Sequence, residues 1–475
     1  MPFDFEACYQ ALISRDPRFD GLMFVGIAST GIYCRLVCTS RRPLRRSCTF
    51  YANAAAAEQA GYRPCLRCRP ELAPGNALVD SHNRLAVALG RRIEEGALNE
   101  ISVPGLAAEL GISDRHLRRV IQEEFGVSPN KLLETQRLLT AKLLLTDTTL
   151  PITEIAYASG FSSLRRFNDA FVSNYRLSPS RFRRDSGVAG ARAAGQFTFE
   201  LGYRPPLDWE ALMEFLSNRL YGGVEAIIGG RYLRTVNLDG RRGWIRVGPA
   251  KGRDALAVEV AAELGRSIPA VLTRVRRLFD LGAEPLRIAR RLGKLAAKRP
   301  GLRLPGAFDS YEVAIRAVLG QQISVKAATT LAGRFAQAYG AAVEMPFPEL
   351  RLLMPSAQEV ARSTPAALTR IGVTSARAHT LLAVSRAMAE NPNLLDPGAD
   401  VDAALKRIKT IPGIGEWTAQ YLAMRAFAWP DAFPATDLGI RKALGADDER
   451  KILARAESWR PWRGYAAMHL WRTLT

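Results

Sequence analysis

Two pairs of cysteines near the start of the chain have the spacing of metal ligands. The pairs are Cys34 with Cys38, three residues between them, and Cys65 with Cys68, two residues between them. Two thiolate pairs at these spacings suit a tetrahedral Zn²⁺ bound by four sulfurs. The spacing alone therefore predicts a closed, structural site with one zinc ion per chain. Cys8 and Cys48 have no close partner and are interpreted as bystanders, although Cys48 stays open as a substitute ligand.

A second set of residues lies in the C-terminal half. Gly413 and Gly415 belong to a Pro-Gly-Ile-Gly turn between predicted helices, and Asp437 follows downstream. Glycines allow positive φ and close approach of the backbone, so free N–H groups at the start of the next helix can hold a phosphate. The turn therefore predicts a contact with a nucleic-acid backbone.

Composition supports a nucleic-acid partner. The 475 residues are enough for about three or four domains, and 66 Lys and Arg against 46 Asp and Glu give a formal charge of +20. Such a balance favours a polyanion, with nucleic acid first, over a merely solvated basic surface. All six cysteines lie in the first 68 residues, and the sequence has neither a signal-like N-terminus nor a long apolar run. We therefore expect a cytoplasmic protein with no membrane partner.

An internal repeat carries a second DNA-binding signal. The segment 106–113 is echoed by 155–162, and the apolar residues that follow recur fifty positions later. Each copy predicts a helix, a Gly turn and a Ser-capped second helix, which is a helix-turn-helix. The exposed faces of the second helices carry side chains suited to phosphates and base edges. The basic ones assigned to DNA are Arg115, Arg118, Arg165 and Arg166.

The N-terminal segments resemble a known regulator family. Thr30–Arg35, Ser47–Asn53 and Ala60–Pro70 look like the N-terminal domain of the Ada adaptive-response regulators, and the repeat resembles the AraC-type DNA-binding domain. The first resemblance implies that Cys34 accepts a methyl group from a DNA methylphosphotriester. A thiolate held by zinc needs no base, and its conversion to a thioether removes one negative charge, so affinity for DNA phosphates rises. No cysteine follows Cys68, so repair of O6-alkylguanine is not expected.

The C-terminal motifs resemble a repair enzyme. The hairpin, Asp437, Pro300–Gly306, Val318–Ser324 and Trp459–Trp471 look like the AlkA type of helix-hairpin-helix DNA-3-methyladenine glycosylase. The resemblance implies that Asp437 is the catalytic carboxylate, which stabilises the oxocarbenium-like sugar. It also implies that aromatic residues line the base pocket and that Gln322 fills the gap left by the extruded base. The aromatic residues are Trp417, Tyr421 and Trp471.

Two departures refine that resemblance. Trp417 stands where lyase-competent relatives have a lysine, so we expect a monofunctional hydrolase without AP-lyase chemistry. Gln322 replaces the apolar wedge of some relatives, and a polar side chain there can hydrogen-bond the orphaned base. A monovalent cation on the hairpin carbonyls is compatible with the family. Trp459 and Trp462 are expected to be core residues.

These observations predict a multidomain fold, mainly α with α+β parts. Its parts are a small Zn(Cys)4 α/β domain (1–78), an all-α double helix-turn-helix domain (79–184), a linker (185–196), a sheet-and-helix lobe resembling a TATA-binding-protein repeat (197–285) and an all-α helix-hairpin-helix glycosylase domain (286–475).

The predicted function combines excision of N3- or N7-alkylated purines with a methylation-triggered transcription switch. Double-stranded DNA and RNA polymerase are the expected partners, and the chain is expected to be a monomer. Two alternatives stay open. In the first, the protein is a transcriptional regulator whose glycosylase-like half only binds DNA. In the second, it is a glycosylase whose zinc module is a purely structural targeting element.

Overall fold

The computed structural model describes residues 4–74, 102–109, 112–185, 195–238, 240–395, 401–446 and 448–474. The chain divides into two compact units, one containing residues 1–205 and 250–273 and the other 206–249 and 274–475. Most of its elements are helices, with strands confined to a few segments, so the mainly α class with α+β parts is confirmed. The boundary expected after residue 78, most of the 185–196 linker and the Gly111 turn of the first repeat lie outside the described residues.

The cysteine-bearing segment folds around a small sheet. Its elements are α1 Phe5–Ser14, β1 Phe24–Ile27, β2 Ile32–Arg35, β3 Cys48–Tyr51, α2 Ala54–Gln59 and β4 Arg63–Pro64. The strand order is β3-β1-β2-β4, with β1 antiparallel to both neighbours and β2 parallel to β4. The apolar run 21–27 has the pattern of a strand, but β1 begins only at Phe24 because Gly21 adopts φ +76° in a turn, where a Cβ would meet the Pro74 carbonyl oxygen at 2.0 Å.

The repeat forms the two predicted helix-turn-helix units. Their helices are α3 Val103–Glu109, α4 Asp114–Phe125, α5 Pro129–Asp147, α6 Ile152–Ala158, α7 Leu164–Tyr175 and α8 Pro179–Asp185. Ser113 caps α4 by accepting a hydrogen bond from the His116 N–H, and Ser163 caps α7 in the same way from Arg166. The turn of the second unit is one residue longer, because its cap is Ser163 rather than Ser162, the repeat partner of Ser113.

Strands and helices alternate after residue 195, and helices then dominate to the end. The elements are β5 Gln196–Gly202, α9 Trp209–Ser217, β6 Glu225–Ile228, β7 Arg231–Leu238, β8 Arg241–Pro249, β9 Ala255–Ala261, α10 Ile268–Leu278, α11 Pro285–Leu292, α12 Ser310–Leu319, α13 Val325–Tyr339, β10 Ala341–Ala342, β11 Leu352–Leu353, α14 Ala357–Ala361, α15 Pro365–Thr369, α16 Ser375–Glu390, α17 Val401–Lys409, α18 Glu416–Arg425, α19 Leu438–Leu444, α20 Glu449–Ala456 and α21 Arg463–Arg472.

Antiparallel strand pairs occur in both units. In the first unit β5 and β9 run antiparallel, and in the second β7 pairs with both β6 and β8. A buried ion pair joins β7 to the helices of the second unit, because Arg234 contacts Glu312 of α12 at 2.6 Å and its guanidinium lies 4.1 Å from the Phe308 ring. In the ranges described, no helix has both the length and the apolar character needed to cross a bilayer.

Candidate active site and metal centre

Asp437 lies at the start of α19, where two tryptophans hold its carboxylate. The Trp417 indole N–H donates to Oδ2 at 2.7 Å and the Trp471 indole N–H donates to Oδ1 at 2.8 Å. Oδ1 also caps α19 by accepting from the Ile440 N–H at 3.0 Å. Asp437 is half-buried, so part of this fixed residue is accessible to solvent. Such a group can stabilise positive charge that develops on a neighbouring atom.

The tryptophans and Tyr421 form an aromatic cluster beside that carboxylate. The Trp417 and Tyr421 rings stack with centroids 5.3 Å apart and an interplanar angle of 13°, and Trp471 lies 6.5 Å from Tyr421. Trp417 and Tyr421 meet because they are four residues apart on α18, which places them on one face of the helix. The structure therefore brings together the four C-terminal site residues that the sequence separates, while Trp459 and Trp462 are buried as expected.

Three arginines around Tyr421 were not found from the sequence. Burial alone raises the pKa of Tyr421, but the charges of Arg425, Arg219 and Arg316 outweigh it and lower the pKa. Arg425 donates to the Tyr421 hydroxyl at 3.0 Å, and the guanidinium groups of Arg219 and Arg425 lie 3.8 and 4.9 Å from the Phe215 ring. The i,i+4 spacing of Tyr421 and Arg425 was a usable signal. Nothing in the sequence placed Phe215 and Arg219 of the α9 segment beside them.

The Pro300–Gly306 motif has a visible role in this cluster. Arg425 donates to the carbonyl oxygens of Pro305 and Gly306, the second at 3.1 Å. The motif therefore fixes the guanidinium that contacts Tyr421.

The hairpin between α17 and α18 has the geometry that its glycines predict. Gly413 adopts φ +86°, and a Cβ there would lie 1.9 Å from the Thr380 hydroxyl oxygen, so no other residue fits. Gly415 is the N-cap of α18, makes no side-chain cap and has open space where a Cβ would stand. The first N–H groups of α18 therefore stay available to an anion.

Gln321 and Gln322 have different surroundings. Gln321 donates to the Gly413 carbonyl at 2.9 Å and to the Thr418 hydroxyl at 3.0 Å, which ties the turn after α12 to the hairpin. Gln322 is exposed and adopts φ +57° at the tip of that turn. The structure thus places Gln322 rather than Gln321 where an external molecule can meet it.

The four cysteines of the two pairs meet in the first unit. Their sulfur atoms all lie within 4.8 Å of one another. This separation fits a tetrahedral zinc ion, in which Zn–S bonds of about 2.3 Å place the sulfurs roughly 3.8 Å apart. A hydrogen bond between the first-pair sulfurs lowers the pKa of Cys38 and raises that of Cys34. Cys8 and Cys48 do not belong to this cluster, so the substitute-ligand alternative for Cys48 gains no support.

Hydrogen bonds distinguish the four sulfurs. The Arg35 N–H donates to Cys68 Sγ at 3.3 Å, the Arg67 N–H donates to Cys65 Sγ at 3.4 Å, and Cys38 Sγ lies 3.2 Å from the Ser40 hydroxyl. Within the described residues, no hydrogen bond from outside the cluster reaches the sulfur of Cys34. Hydrogen bonds stabilise a thiolate and lower its nucleophilicity. Among the described residues, Cys34 Sγ thus lacks the stabilising contact that each of the other three sulfurs has, and Cys34 is only 4% exposed.

Arg35 explains a further part of the N-terminal motif. Its guanidinium donates to Asp20 Oδ1 at 2.8 Å and to the Cys68 carbonyl at 3.1 Å. Asp20, in the segment Phe19-Asp20-Gly21, thus supports the strand that carries Cys34.

The arginines assigned to DNA all lie on the surface of the helix-turn-helix units. Arg115, Arg118, Arg165 and Arg166 are exposed on α4 and α7. Arg118 contacts Asp114 at 2.8 Å, and Arg165 lies 3.9 Å from Asp169. These ion pairs are exposed and weak, so a phosphate can replace the carboxylate.

Comparison with known proteins gives matches in four parts of the chain. Four family models match: the metal binding domain of Ada at residues 7–71, a helix-turn-helix domain at 106–185, the AlkA N-terminal domain at 198–309, and the HhH-GPD superfamily of base excision DNA repair proteins at 315–463. A Mycobacterium tuberculosis protein described as a probable bifunctional transcriptional activator/DNA repair enzyme AlkA is 38% identical over 99% of this chain and 97% of its own. The chain belongs to this AlkA family of bifunctional activator and repair proteins.

Two other similarities cover a little more than half of this AlkA-family chain. Escherichia coli DNA-3-methyladenine glycosylase 2 is 36% identical over 58% of this chain and 97% of its own. A 3-methyladenine DNA glycosylase from Archaeoglobus fulgidus covers 57% of this chain and 97% of its own with a TM-score of 0.51 and 22% identity, which shows a shared fold. The glycosylase family, the helix-turn-helix domain and the Ada-type metal-binding domain are thereby established for this chain.

Proposed function

We propose that the C-terminal half is a monofunctional glycosylase that hydrolyses the N-glycosidic bond of N3- or N7-alkylated purines in duplex DNA. The observation that carries this proposal is the Asp437 carboxylate, which Trp417 and Trp471 hold by one indole N–H on each oxygen. A carboxylate fixed in this way stabilises the oxocarbenium-like sugar as the bond to the base breaks. The leaving purine is already cationic, so the site needs no strong general acid.

The surroundings of Asp437 support extrusion of the base toward this carboxylate. The half-buried Trp417 ring, stacked on the buried Tyr421 ring, offers a surface on which a cationic purine gains about 0.5–2 kcal/mol per contact. Leu438, the next residue after Asp437, is 78% exposed, and Gln322 is exposed on the α12–α13 turn. Their exposure supports contact of both side chains with the duplex, and in this proposal Gln322 fills the gap beside the orphaned base.

The absence of a lyase step follows from the side chain at the hairpin. Trp417 occupies the position at which a Schiff-base lysine would stand, and the amine of Lys409 is engaged by Glu416 at 2.9 Å. We expect abasic DNA as the product, with strand cleavage only after alkali. The proposal also includes a monovalent cation bound by the carbonyl groups of the hairpin. One of these carbonyls, that of Gly413, also accepts a hydrogen bond from Gln321.

The direct test uses a duplex that contains 3-methyladenine or 7-methylguanine. Wild-type chain should release the alkylated base, and Asp437→Asn should release it at least about a hundredfold more slowly. Equal, negligible release by both would show that this half only binds DNA.

For the N-terminal half, Cys34 is proposed as an irreversible methyl acceptor. Its Sγ attacks the methyl carbon of a DNA methylphosphotriester, the carbon–oxygen bond breaks, and the electron pair stays on the phosphate oxygen, which becomes the anion of an ordinary phosphodiester. Zinc, when bound, keeps the thiols deprotonated. The lack of a hydrogen bond to Cys34 Sγ from outside the cluster favours this sulfur, whereas Cys68 is the more exposed of the two. Conversion of Cys34 to a thioether removes one negative charge and strengthens binding to DNA.

The outcome of methylation would be transcription. We propose that the helix-turn-helix units bind an operator through Arg115, Arg118, Arg165 and Arg166 and that the DNA-bound chain activates RNA polymerase as a monomer in the cytoplasm. The domain boundaries at 78, 184, 196 and 285 belong to this proposal.

A further inference from the structure

One side chain of the zinc domain contacts the end of the first recognition helix. Asn53 is the N-cap of α2, where its Oδ1 accepts from the Ala56 N–H at 2.9 Å, and its Nδ2 donates to the Phe125 carbonyl at 2.9 Å. Because one partner is a donor and the other an acceptor, the orientation of the amide is fixed. Asn53 therefore forms hydrogen bonds with both α2 and α4.

The contact with Phe125 lies at the C-terminal end of a DNA-binding helix. Phe125 is the last residue of α4, the second helix of the first helix-turn-helix unit, whose exposed face carries Arg115 and Arg118. The last carbonyl groups of a helix have no intrahelical partner. Asn53 supplies the missing donor, so the C-terminal end of α4 is anchored on the zinc domain.

A second link connects the same two domains. Glu58, near the other end of α2, accepts from the Tyr33 hydroxyl at 3.1 Å through Oε1 and from the Thr135 hydroxyl of α5 at 2.9 Å through Oε2. Tyr33 directly precedes Cys34 on β2, and Tyr33 and Thr135 have no exposed surface. The strand of the reactive cysteine is thus joined to a helix of the DNA-binding domain through one buried carboxylate.

We propose that Asn53 and Glu58 are positioning residues that hold α4 at a fixed place relative to Cys34, so that the zinc domain and the first helix-turn-helix unit bind one DNA duplex as a single body. A methyl group on Cys34 changes the charge of one part of this body, and the contacts of α2 keep the other part aligned on the same duplex. This inference rests on the proposed methylation switch, and it adds the residues through which the two domains act together.

Substitutions at Asn53 can remove the anchor without removing the cap. Asn53→Ser and Asn53→Asp both retain an N-cap oxygen for Ala56, since Ser, Asp and Asn cap helices about equally well. Neither has an amide donor that reaches the Phe125 carbonyl. Thr135→Val is the matched change at the second link, because it removes only the hydroxyl that contacts Glu58.

Three measurements on the zinc-loaded full chain test the proposal. Methyl uptake by Asn53→Ser, measured by mass spectrometry, should equal that of the wild type. Amide exchange at residues 122–126 should be faster than in the wild type, with or without methylation. The third measurement uses a duplex that methylated wild-type protein enriches from a randomised library. The affinity of methylated Asn53→Ser for this duplex should be roughly two- to tenfold lower than that of the wild type, the effect of about one hydrogen bond.

The outcomes separate this inference from the switch itself. If the wild-type chain takes up no methyl group or enriches no duplex, the proposed switch is wrong, and the exchange measurement alone then decides whether Asn53 anchors α4. Wild-type exchange at 122–126 in both Asn53 variants would overturn the anchor. Faster exchange with unchanged DNA affinity in Asn53→Ser, Asn53→Asp and Thr135→Val would overturn the positioning role.

Discussion

Replacing Trp417 by Phe should slow base excision while leaving the protein folded. Phe keeps a ring to stack on Tyr421, but it cannot replace the hydrogen bond that the Trp417 indole N–H donates to Asp437 Oδ2 at 2.7 Å. Hydrogen bonds to charged acceptors contribute about 1.5–3 kcal/mol. If the bond is fully expressed in the transition state, its loss corresponds to roughly a 10- to 150-fold lower rate. Single-turnover release of 7-methylguanine from an alkylated duplex measures this rate directly.

Trp471→Phe is the matched comparison for this prediction. Oδ1 would lose the Trp471 indole but keep the Ile440 N–H at 3.0 Å, so Asp437 stays partly oriented. We therefore expect a smaller loss of rate than in Trp417→Phe, with affinity for abasic duplex little changed in both. Wild-type rates in Trp417→Phe, or equal losses in the two variants, would refute the idea that the indoles orient the carboxylate during the reaction.

Three further changes have definite expected results. Burial lowers the pKa of His469 to about 4 from its usual 6.5, so the folded state binds fewer protons than the unfolded state. The free energy of unfolding of the protein should therefore fall by about 3 kcal/mol as pH drops from 6.5 to 4. Denaturant titration should show a clearly smaller fall in His469→Gln. Leu438→Ala should weaken binding to abasic duplex by about tenfold, whereas Leu286→Ala, also at an exposed leucine, should not; equal affinities would remove Leu438 from the interface. Lys142→Met should destabilise the first unit by about 1.5–3 kcal/mol, because buried Glu71 loses a charged hydrogen bond to the amine and keeps its contact with Arg69. An unchanged calorimetric transition would contradict this.

Local patterns predicted a large part of this architecture. Ser113 and Ser163 cap their helices, and Gly413 adopts the positive φ that the hairpin requires. Such features depend on a few neighbouring residues, so their physical cause is present in a short stretch of sequence. The same holds for the four cysteines, because metal-ligand spacing limits which residues can meet.

Contacts between distant segments were beyond the reach of those patterns. Phe215 belongs to residues 209–216, whose pattern is that of an ordinary amphipathic helix, and Arg219 follows it, yet both lie beside Tyr421 about two hundred positions later. The bond from Asn53 to the Phe125 carbonyl was equally hidden, because an N-cap asparagine has an evident local role and nothing in its neighbourhood reveals the second partner. Side-chain type shows what a residue can bind, while the fold decides which partner it meets.

Mass spectrometry of the zinc-loaded chain after incubation with methylphosphotriester DNA tests the central claim most directly. Peptide mapping should locate a single methyl group on Cys34 and none on Cys38, Cys65 or Cys68. A methyl group on Cys68 would contradict the assignment and show that exposure rather than hydrogen bonding selects the acceptor. A chain with all four cysteines unmodified would contradict the acceptor function itself and leave the zinc site as a structural element of a glycosylase.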